Sequence, residues 1–248
     1  MADGAFNALA ARYDELWSRS TIGRLQREAV WRRLDTLFRP GDSLLDLGCG
    51  PGDDALHFMH SGMRVRAIDS SSEMVRIARG RGVDATRLAI EELRGLKGVF
   101  DGAISNFGPL NCIRSLDRIR GPLARLIRPG GYLALCLMGR FCLWETAWYL
   151  LRTRPGKAFR RWRPQGVASS FGVRVYYPSV HQLREALLPD FSLVEWSGVG
   201  VFIPPSYVTG LSNRLLTRLA GCEKRIAGMP LFRALSDHRL LILVRNGS

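Results

Sequence analysis

Apolar residues recur along the chain with two different periods, and the changes of period mark its elements. Over residues 6–38 the spacing is helical. Phe6, Leu9, Tyr13 and Leu16 or Trp17 recur at helical spacing, and a second periodic stretch runs from Ile22 to Phe38. Arg39-Pro40-Gly41-Asp42 then makes a turn. Beyond it, short apolar runs alternate with helical stretches. The runs predict strands ending at Asp46, from Met63 to Ile68 with Asp69 at the end, at Leu88-Ala89-Ile90, from Val99 to Ser105, from Tyr132 to Met138 and from His238 to Arg245. The helices between them cover about 53–61, a segment with Met74, Val75, Ile77 and Ala78 that Ser70, Ser71 or Ser72 can cap, and Leu116 to Ile127.

This alternation predicts an α/β fold with a parallel, doubly wound sheet and right-handed crossovers. The regular pattern breaks between about 139 and 175. Phe141, Trp144, Trp148 and Leu151 share one helical face there, and Arg152, Arg154, Lys157, Arg160, Arg161 and Arg163 follow, with Phe159 and Trp162 among them. The segment reads as an inserted helical and aromatic lid. A second cap element is expected over about 202–236. The resulting organisation is a single domain: an N-terminal helical cap over 1–40, a ligand-binding core over 41–138, an insertion and substrate cap over 139–236, and a last strand over 237–248.

The chemistry concentrates in Leu44-Leu45-Asp46-Leu47-Gly48-Cys49-Gly50-Pro51-Gly52. An apolar strand ends in a carboxylate and three glycines at alternate positions, and Asp53 and Asp54 open the next helix, where the dipole favours anions. Such a strand, turn and helix start form a nucleotide-type crevice at the carboxyl end of a parallel strand. The spacing is D-x-G-x-G-x-G. It differs from the dinucleotide pattern G-x-G-x-x-G, and no P-loop lysine follows it. Asp69, at the end of the second strand, is placed to accept both hydroxyls of a ribose.

Together these residues resemble the class I S-adenosylmethionine (SAM)-dependent methyltransferases. The glycine turn matches their motif I, and Asp69 matches their ribose-binding acid. The Phe100-Asp101 pair and the turn Arg128-Pro129-Gly130-Gly131 into the fifth strand resemble their later motifs. Phe6 to Asp14 resembles the N-terminal helix of the ubiquinone/menaquinone-type branch, whose Tyr-Asp pair closes over the cofactor; here the pair is Tyr13-Asp14. The resemblance implies a Rossmann-like seven-stranded sheet with one antiparallel strand near the end. It also implies SAM as cofactor and S-adenosylhomocysteine as product. The cofactor site it implies comprises Tyr13, Asp46, Gly48, Cys49, Gly50, Gly52, Asp69, Ser70, Met74, Ala89, Ile90, Glu91, Asn106 and Phe107. Asp46 would face the cofactor's amino group, directly or through water. Many such enzymes carry Asp where this chain has Ala89.

Methyl transfer needs a base only when the acceptor must lose a proton. His181 and Tyr177 are the preferred candidates, ahead of His57 and Tyr176, while His60 and His238 read as structural. Composition adds limits. The 248 residues suit one α/β domain, and five cysteines without C-x-x-C spacing argue against a zinc cluster or a disulfide framework. No metal site is expected. The net charge of +14 draws the chain toward nucleic acid, anionic membranes or acidic substrates. Only Lys97, Lys157 and Lys224 among the 36 basic residues are lysines, an arginine bias that base composition in the genome also produces. Ser105-Asn106-Phe107-Gly108 carries neither the Asn/Asp-Pro-Pro-aromatic motif nor the Pro-Cys nucleophile of base-modifying enzymes, which disfavours nucleic acid as substrate. The expected function is transfer of a methyl group to a small, hydrophobic or amphiphilic acceptor. A nucleic-acid methyltransferase and a non-catalytic SAM-binding regulator are the alternatives. With Asp3, Arg12, Asp14 and Glu15 near its start and no apolar stretch there, the chain is expected in the cytoplasm. The basic, aromatic segment leaves an anionic membrane surface open as a partner.

Overall fold

A computed structural model describes residues 6, 7, 10, 17, 20–169, 172–208 and 210–247. Its first complete helix, α1 (Thr21–Leu34), starts where the Ser20 hydroxyl accepts from the Gly23 amide. Then follow β1 (Ser43–Leu47), α2 (Asp53–His60), β2 (Arg64–Asp69), α3 (Ser72–Gly80), β3 (Asp84–Arg87), β4 (Phe100–Asn106), α4 (Asp117–Leu126) and β5 (Ile127–Met138). The pattern-breaking segment holds α5 (Leu143–Leu150), α6 (Pro155–Ala158) and a small ribbon of β6 (Val167–Ala168) and β7 (Arg174–Val175). The chain ends with α7 (Val180–Leu187), β8 (Phe191–Val199), α8 (Asn213–Ile226), α9 (Pro230–Ala234) and β9 (His238–Arg245).

Seven strands form one sheet in the order β3-β2-β1-β4-β5-β9-β8, and β9 runs antiparallel to both neighbours. The expected Rossmann-like architecture is thus present. Both faces are covered, which explains why the strands read as nearly continuous apolar runs. On one face Leu44, Ile104, Ala134 and Ile242 meet Val30 and Leu34 of α1, Phe58 of α2 and Val75 of α3. On the other, Leu45, Leu133, Leu241 and Leu243 meet Ile119 and Leu123 of α4 and Leu183 and Leu187 of α7. Burying each such leucine or phenylalanine contributes roughly 1.5–3 kcal/mol.

Two sequence expectations are corrected. The third strand is Asp84–Arg87, paired from Arg66↔Asp84 to Asp69↔Arg87, and Leu88-Ala89-Ile90 lies just beyond it. There the Leu88 amide still donates to the Asp69 carbonyl, after which Ile90–Gly95 winds into a 3-10 turn that buries Ile90 and Leu93. The apolar triplet therefore marks the exit from the sheet. Second, the span 139–236 is not all insertion, because α7 and β8 belong to the core fold. A bulge between Leu193 and Glu195 breaks the two-residue period that would have revealed β8. Glu195 instead pairs with Arg33 of α1. No helix among the described residues is long and apolar enough to cross a membrane.

Candidate active site

The carboxyl ends of β1, β2 and β4 meet the start of β9 at one edge of the sheet. At the end of β1 the chain turns through Gly48 and Gly50, whose φ values are +76° and +54°. A Cβ on Gly48 would lie 2.4 Å from Pro109 Cβ, so this position is closed by packing. A Cβ on Gly50 would meet nothing within 4 Å, so the turn is open there. The Gly48 and Cys49 amides donate to the Ile68 carbonyl (2.8 and 3.0 Å), which ties the turn to β2. Asp69 completes the tie. Its Oδ2 accepts from the Gly50 amide and its Oδ1 from the Ser71 amide, both at 2.9 Å. Burial drives the Cys49 thiol far above its ordinary range, so this residue is an inert filler beside the turn.

Asp46 and Asn106 lie on the same face of the sheet. Asp46 is in register with Ile104 across the β1–β4 pair, and Asn106 is two residues beyond Ile104. Asp46 is 1% exposed, and its Oδ2 has no hydrogen-bond partner. Both amide atoms of Asn106 are likewise buried and unpartnered. Burying such groups unsatisfied costs about 1–3 kcal/mol each. Burial, with Asp54 adding to it and Arg27 opposing, pushes the Asp46 carboxyl well above the usual carboxylate range.

Arg27 was not anticipated from the sequence. It lies on the buried side of α1 with Val30 and Leu34, and an arginine on an apolar stripe was the available signal. Its Nη1 meets Asp54 Oδ2 at 2.9 Å, and its Nη2 meets Asp53 Oδ2 at 3.5 Å. Trp31 Nε1 donates to Asp54 Oδ1 at 2.6 Å. The guanidinium also stands 5.4 Å from the Phe107 ring centre. Phe107, with φ +58°, turns the chain out of β4. Asn111 secures the following loop: its Oδ1 accepts from the Met138 amide (2.8 Å), and its Nδ2 donates to the Tyr176 carbonyl (2.7 Å).

His238, read from the sequence as structural, also reaches this edge. It pairs with Met138 and lies two residues before Leu240, which is in register with Cys136, so it shares the face of Asn106. Its ring is edge-on to Phe107 at 5.3 Å and 6.4 Å from Trp17, which in turn is 5.7 Å from Phe107. Its Nδ1 is 3.3 Å from Asp237 Oδ2 and makes no hydrogen bond among the described residues. Burial raises the Asp237 pKa, but His238 and Arg161 outweigh it and hold the carboxyl far below the usual range.

The other expected site residues are distributed as follows. Gly52 begins α2, and Ile90 approaches the Gly48 turn. Ser70 follows Asp69, and the amide of buried Met74 donates to Ser71 Oγ at 3.1 Å. Ala89 is half-buried and Glu91 exposed. Tyr13 lies outside the described residues. Asn7, on the same N-terminal segment, receives a hydrogen bond from Ser71 Oγ at 2.6 Å and one from the Glu73 amide at 3.2 Å. Asn7 therefore sits over the start of α3. His181 is exposed on α7, whose Leu183 and Leu187 cover the opposite face of the sheet. Tyr177 is buried with the Arg161 guanidinium 5.4 Å from its ring, and burial raises its pKa, which disfavours a phenolate. His57 stacks on Trp31 and contacts Asp35 at 2.7 Å, outside the cleft.

Residues 44–131 match the sequence pattern of a methyltransferase domain family. The chain is 30% identical over 209 residues to a demethylmenaquinone methyltransferase of Mycobacterium marinum, an alignment covering 78% of this chain and 84% of that protein. The chain belongs to the class I SAM-dependent methyltransferases. It is also 30% identical over 236 residues to a malonyl-[acyl-carrier protein] O-methyltransferase of Pectobacterium atrosepticum, covering 92% of this chain and 90% of that one. A SAM-dependent methyltransferase structure from Mesorhizobium loti shares the fold at TM-score 0.59 with 17% identity, over 88% of this chain and 98% of that chain. SAM is therefore the cofactor of this methyltransferase, and the residues present fit it. The unpartnered Asp46 carboxylate suits an ammonium, the unpartnered Asn106 amide suits an amino-acid group, and the open side of Gly50 leaves room beside Asp69.

The raised pKa of Asp46 gives the methyltransferase a pH dependence of known sign. An ammonium favours the ionised carboxylate, so cofactor binding releases a proton wherever Asp46 is protonated beforehand. SAM affinity is expected to fall with decreasing pH, by up to about tenfold per unit, beginning above the ordinary carboxylate range. Calorimetric titrations in buffers of different ionisation enthalpy will show the proton release. Asp46→Asn should remove it along with the pH dependence of affinity.

Proposed function

We propose that this methyltransferase acts on a small amphiphilic acceptor and methylates an atom that gives up a proton to His238. The observation that carries this reading is the Asp237–His238 pair beside Phe107. A buried imidazole 3.3 Å from a carboxylate, with its ring edge-on to Phe107, places a proton acceptor at the end of β4. The rings of Trp17 and Phe107 give the neighbouring wall an apolar character suited to an aromatic or aliphatic acceptor body.

When bound, SAM supplies a methyl group already activated by its sulfonium charge. The chain's own residues do the rest. Asp46 and Asn106 would hold the methionine end, and Asp69 would hold the ribose. Trp17 and Phe107 keep water from the reacting atoms. His238 takes the acceptor's proton, and the Asp237 carboxylate beside it favours the imidazolium that forms. The acceptor to test first is the one in the name of the Mycobacterium marinum relative, demethylmenaquinone; a malonyl carboxylate, as in the name of the second relative, is already ionised and would be methylated without His238.

A methylation assay with demethylmenaquinone tests the reading. His238→Ala should lower kcat by about 10²–10⁴-fold, the usual contribution of a positioned base. The SAM dissociation constant should stay unchanged, and the pH–rate profiles of variant and wild type should differ. Full activity in His238→Ala, with the same pH profile, would remove His238 from the mechanism.

A further inference from the structure

The hairpin of α5, α6 and the 3-10 turn Arg160–Trp162 has two unlike sides. Its inner side is fixed to the core by charge. Glu145, 1% exposed, accepts from Arg160 Nε (2.8 Å), Arg161 Nη2 (2.8 Å) and Tyr207 Oη (2.6 Å). Arg161 Nη2 also reaches Asp237 Oδ1 at 2.6 Å. Four of the hairpin's apolar side chains are uncovered: Leu150 is 46% exposed, Leu151 85%, Phe159 43% and Trp162 57%. The Phe159 and Trp162 rings meet edge to face at 5.8 Å, so the two aromatics form one raised patch.

Beside this patch lies a groove of about 640 Å³ whose lining includes Arg154, Lys157, Arg160 and Arg163 and no carboxylate. Arg160 is paired with Glu145, but no carboxylate pairs with Arg154, Lys157 or Arg163 among the described residues. Residues 139–163 hold seven basic residues and one acid. Exposed leucine and aromatic side chains flanked by cations match the chemistry of a bilayer interface, where rings and aliphatic tips enter the headgroup boundary and cations meet phosphates. A second copy of this chain is a poor occupant, since each carries a net charge of +14. A nucleic-acid backbone would take the cations but leave Leu150 and Leu151 in water.

We infer that this hairpin docks the enzyme on an anionic phospholipid surface, with Leu150, Leu151, Phe159 and Trp162 at the interface and lipid phosphates in the basic groove. Arg161 ties the hairpin to Asp237, next to His238, so docking sets the acceptor side of the cleft beside the bilayer. This last link rests on the proposed amphiphilic acceptor; the docking itself rests only on the hairpin's surface.

The test is flotation of the full-length protein with vesicles of phosphatidylcholine alone or with about one-third phosphatidylglycerol. Each Lys or Arg near an anionic surface strengthens attachment about fivefold. The expected result is binding to the anionic vesicles at about 0.05 M salt, at least tenfold weaker binding to the neutral ones, and loss at about 0.5 M salt, where charge is screened. The double variants Leu151→Glu/Trp162→Ala, which loses apolar insertion, and Lys157→Glu/Arg163→Glu, which reverses two cations, should each weaken binding at least about tenfold. Both should keep the wild-type thermal shift with SAM, which shows that the fold and cofactor site are intact. Equal binding to both vesicle types, no binding, or unaltered binding of the variants would overturn the inference. So would tight binding to RNA or duplex DNA without vesicle binding. A lost SAM shift with docking preserved would instead count against the cofactor site, and the two failures stay distinguishable.

Discussion

Asp69→Ala is expected to abolish measurable SAM binding. Asp69 holds two backbone amides, those of Gly50 and Ser71, and so fixes the glycine turn against β2. In the proposed site it also receives the ribose hydroxyls. Hydrogen bonds to a charged group contribute about 1.5–3 kcal/mol each, so losing two to the ribose weakens binding by about 10²–10⁴-fold. In the wild type, SAM at about a hundred times its dissociation constant adds roughly 2.7 kcal/mol of stability. For a chain of this length that is a rise in Tm of about 5–11 °C. The variant should show no rise at the same SAM concentration. Asp69→Asn should recover part of the shift, because an amide oxygen still accepts from the Gly50 amide while the charge is gone. An undiminished shift in Asp69→Ala would mean that the ribose is held elsewhere.

Arg161→Met carries the largest expected loss of stability. Arg161 is buried between Glu145 and Asp237, and methionine fills similar space without charge. Removing one partner of a buried ion network typically costs about 3–5 kcal/mol, because the remaining charges stay buried. That corresponds to a fall in Tm of about 6–20 °C at roughly 2–4 °C per kcal/mol. The sign of the pH dependence is a second readout. In the wild type, burial raises the Glu145 pKa, but Arg160 and Arg161 outweigh it and hold it below the ordinary value; Asp237 is depressed further. Depressed carboxylates contribute stability above their unfolded pKa near about 4, and this is lost as pH falls through the folded values. Without Arg161 both carboxyls rise, and a raised carboxyl is stabilised by taking up a proton. The deficit of Arg161→Met should therefore shrink as pH is lowered from neutral toward about 5. A deficit independent of pH would mean that shape, and not charge, explains the role of Arg161.

The same network shows how function and stability overlap in this enzyme. Asp237 faces both Arg161 and His238, so the residue that anchors the cap hairpin also lies against the proposed base. Substituting Asp237 would confound the two roles, which is why His238→Ala is the cleaner kinetic test.

Much of this protein is legible locally. A strand that ends in Asp46 and runs into Gly48 and Gly50 reveals a crevice, because backbone turns and close approach are properties of adjacent residues. Asp69 at the end of the next strand follows from the same short-range logic, and His238–Arg245 is a strand by its apolar run alone. What the chain could not reveal by itself depends on sheet order. Insertion of β9 between β5 and β8 reverses its direction and brings its first residue to the edge where β4 ends. That alone turns His238 from a structural histidine into the partner of Phe107, while α7 carries His181 to the opposite face. Arg27 meets Asp54, and Arg161 meets Asp237, across 27 and 76 residues of chain. Periodicity and turn chemistry act over a few residues, so they specify elements. Which distant side chains share a buried charge is decided only when strand register and helix packing have closed the distance between them.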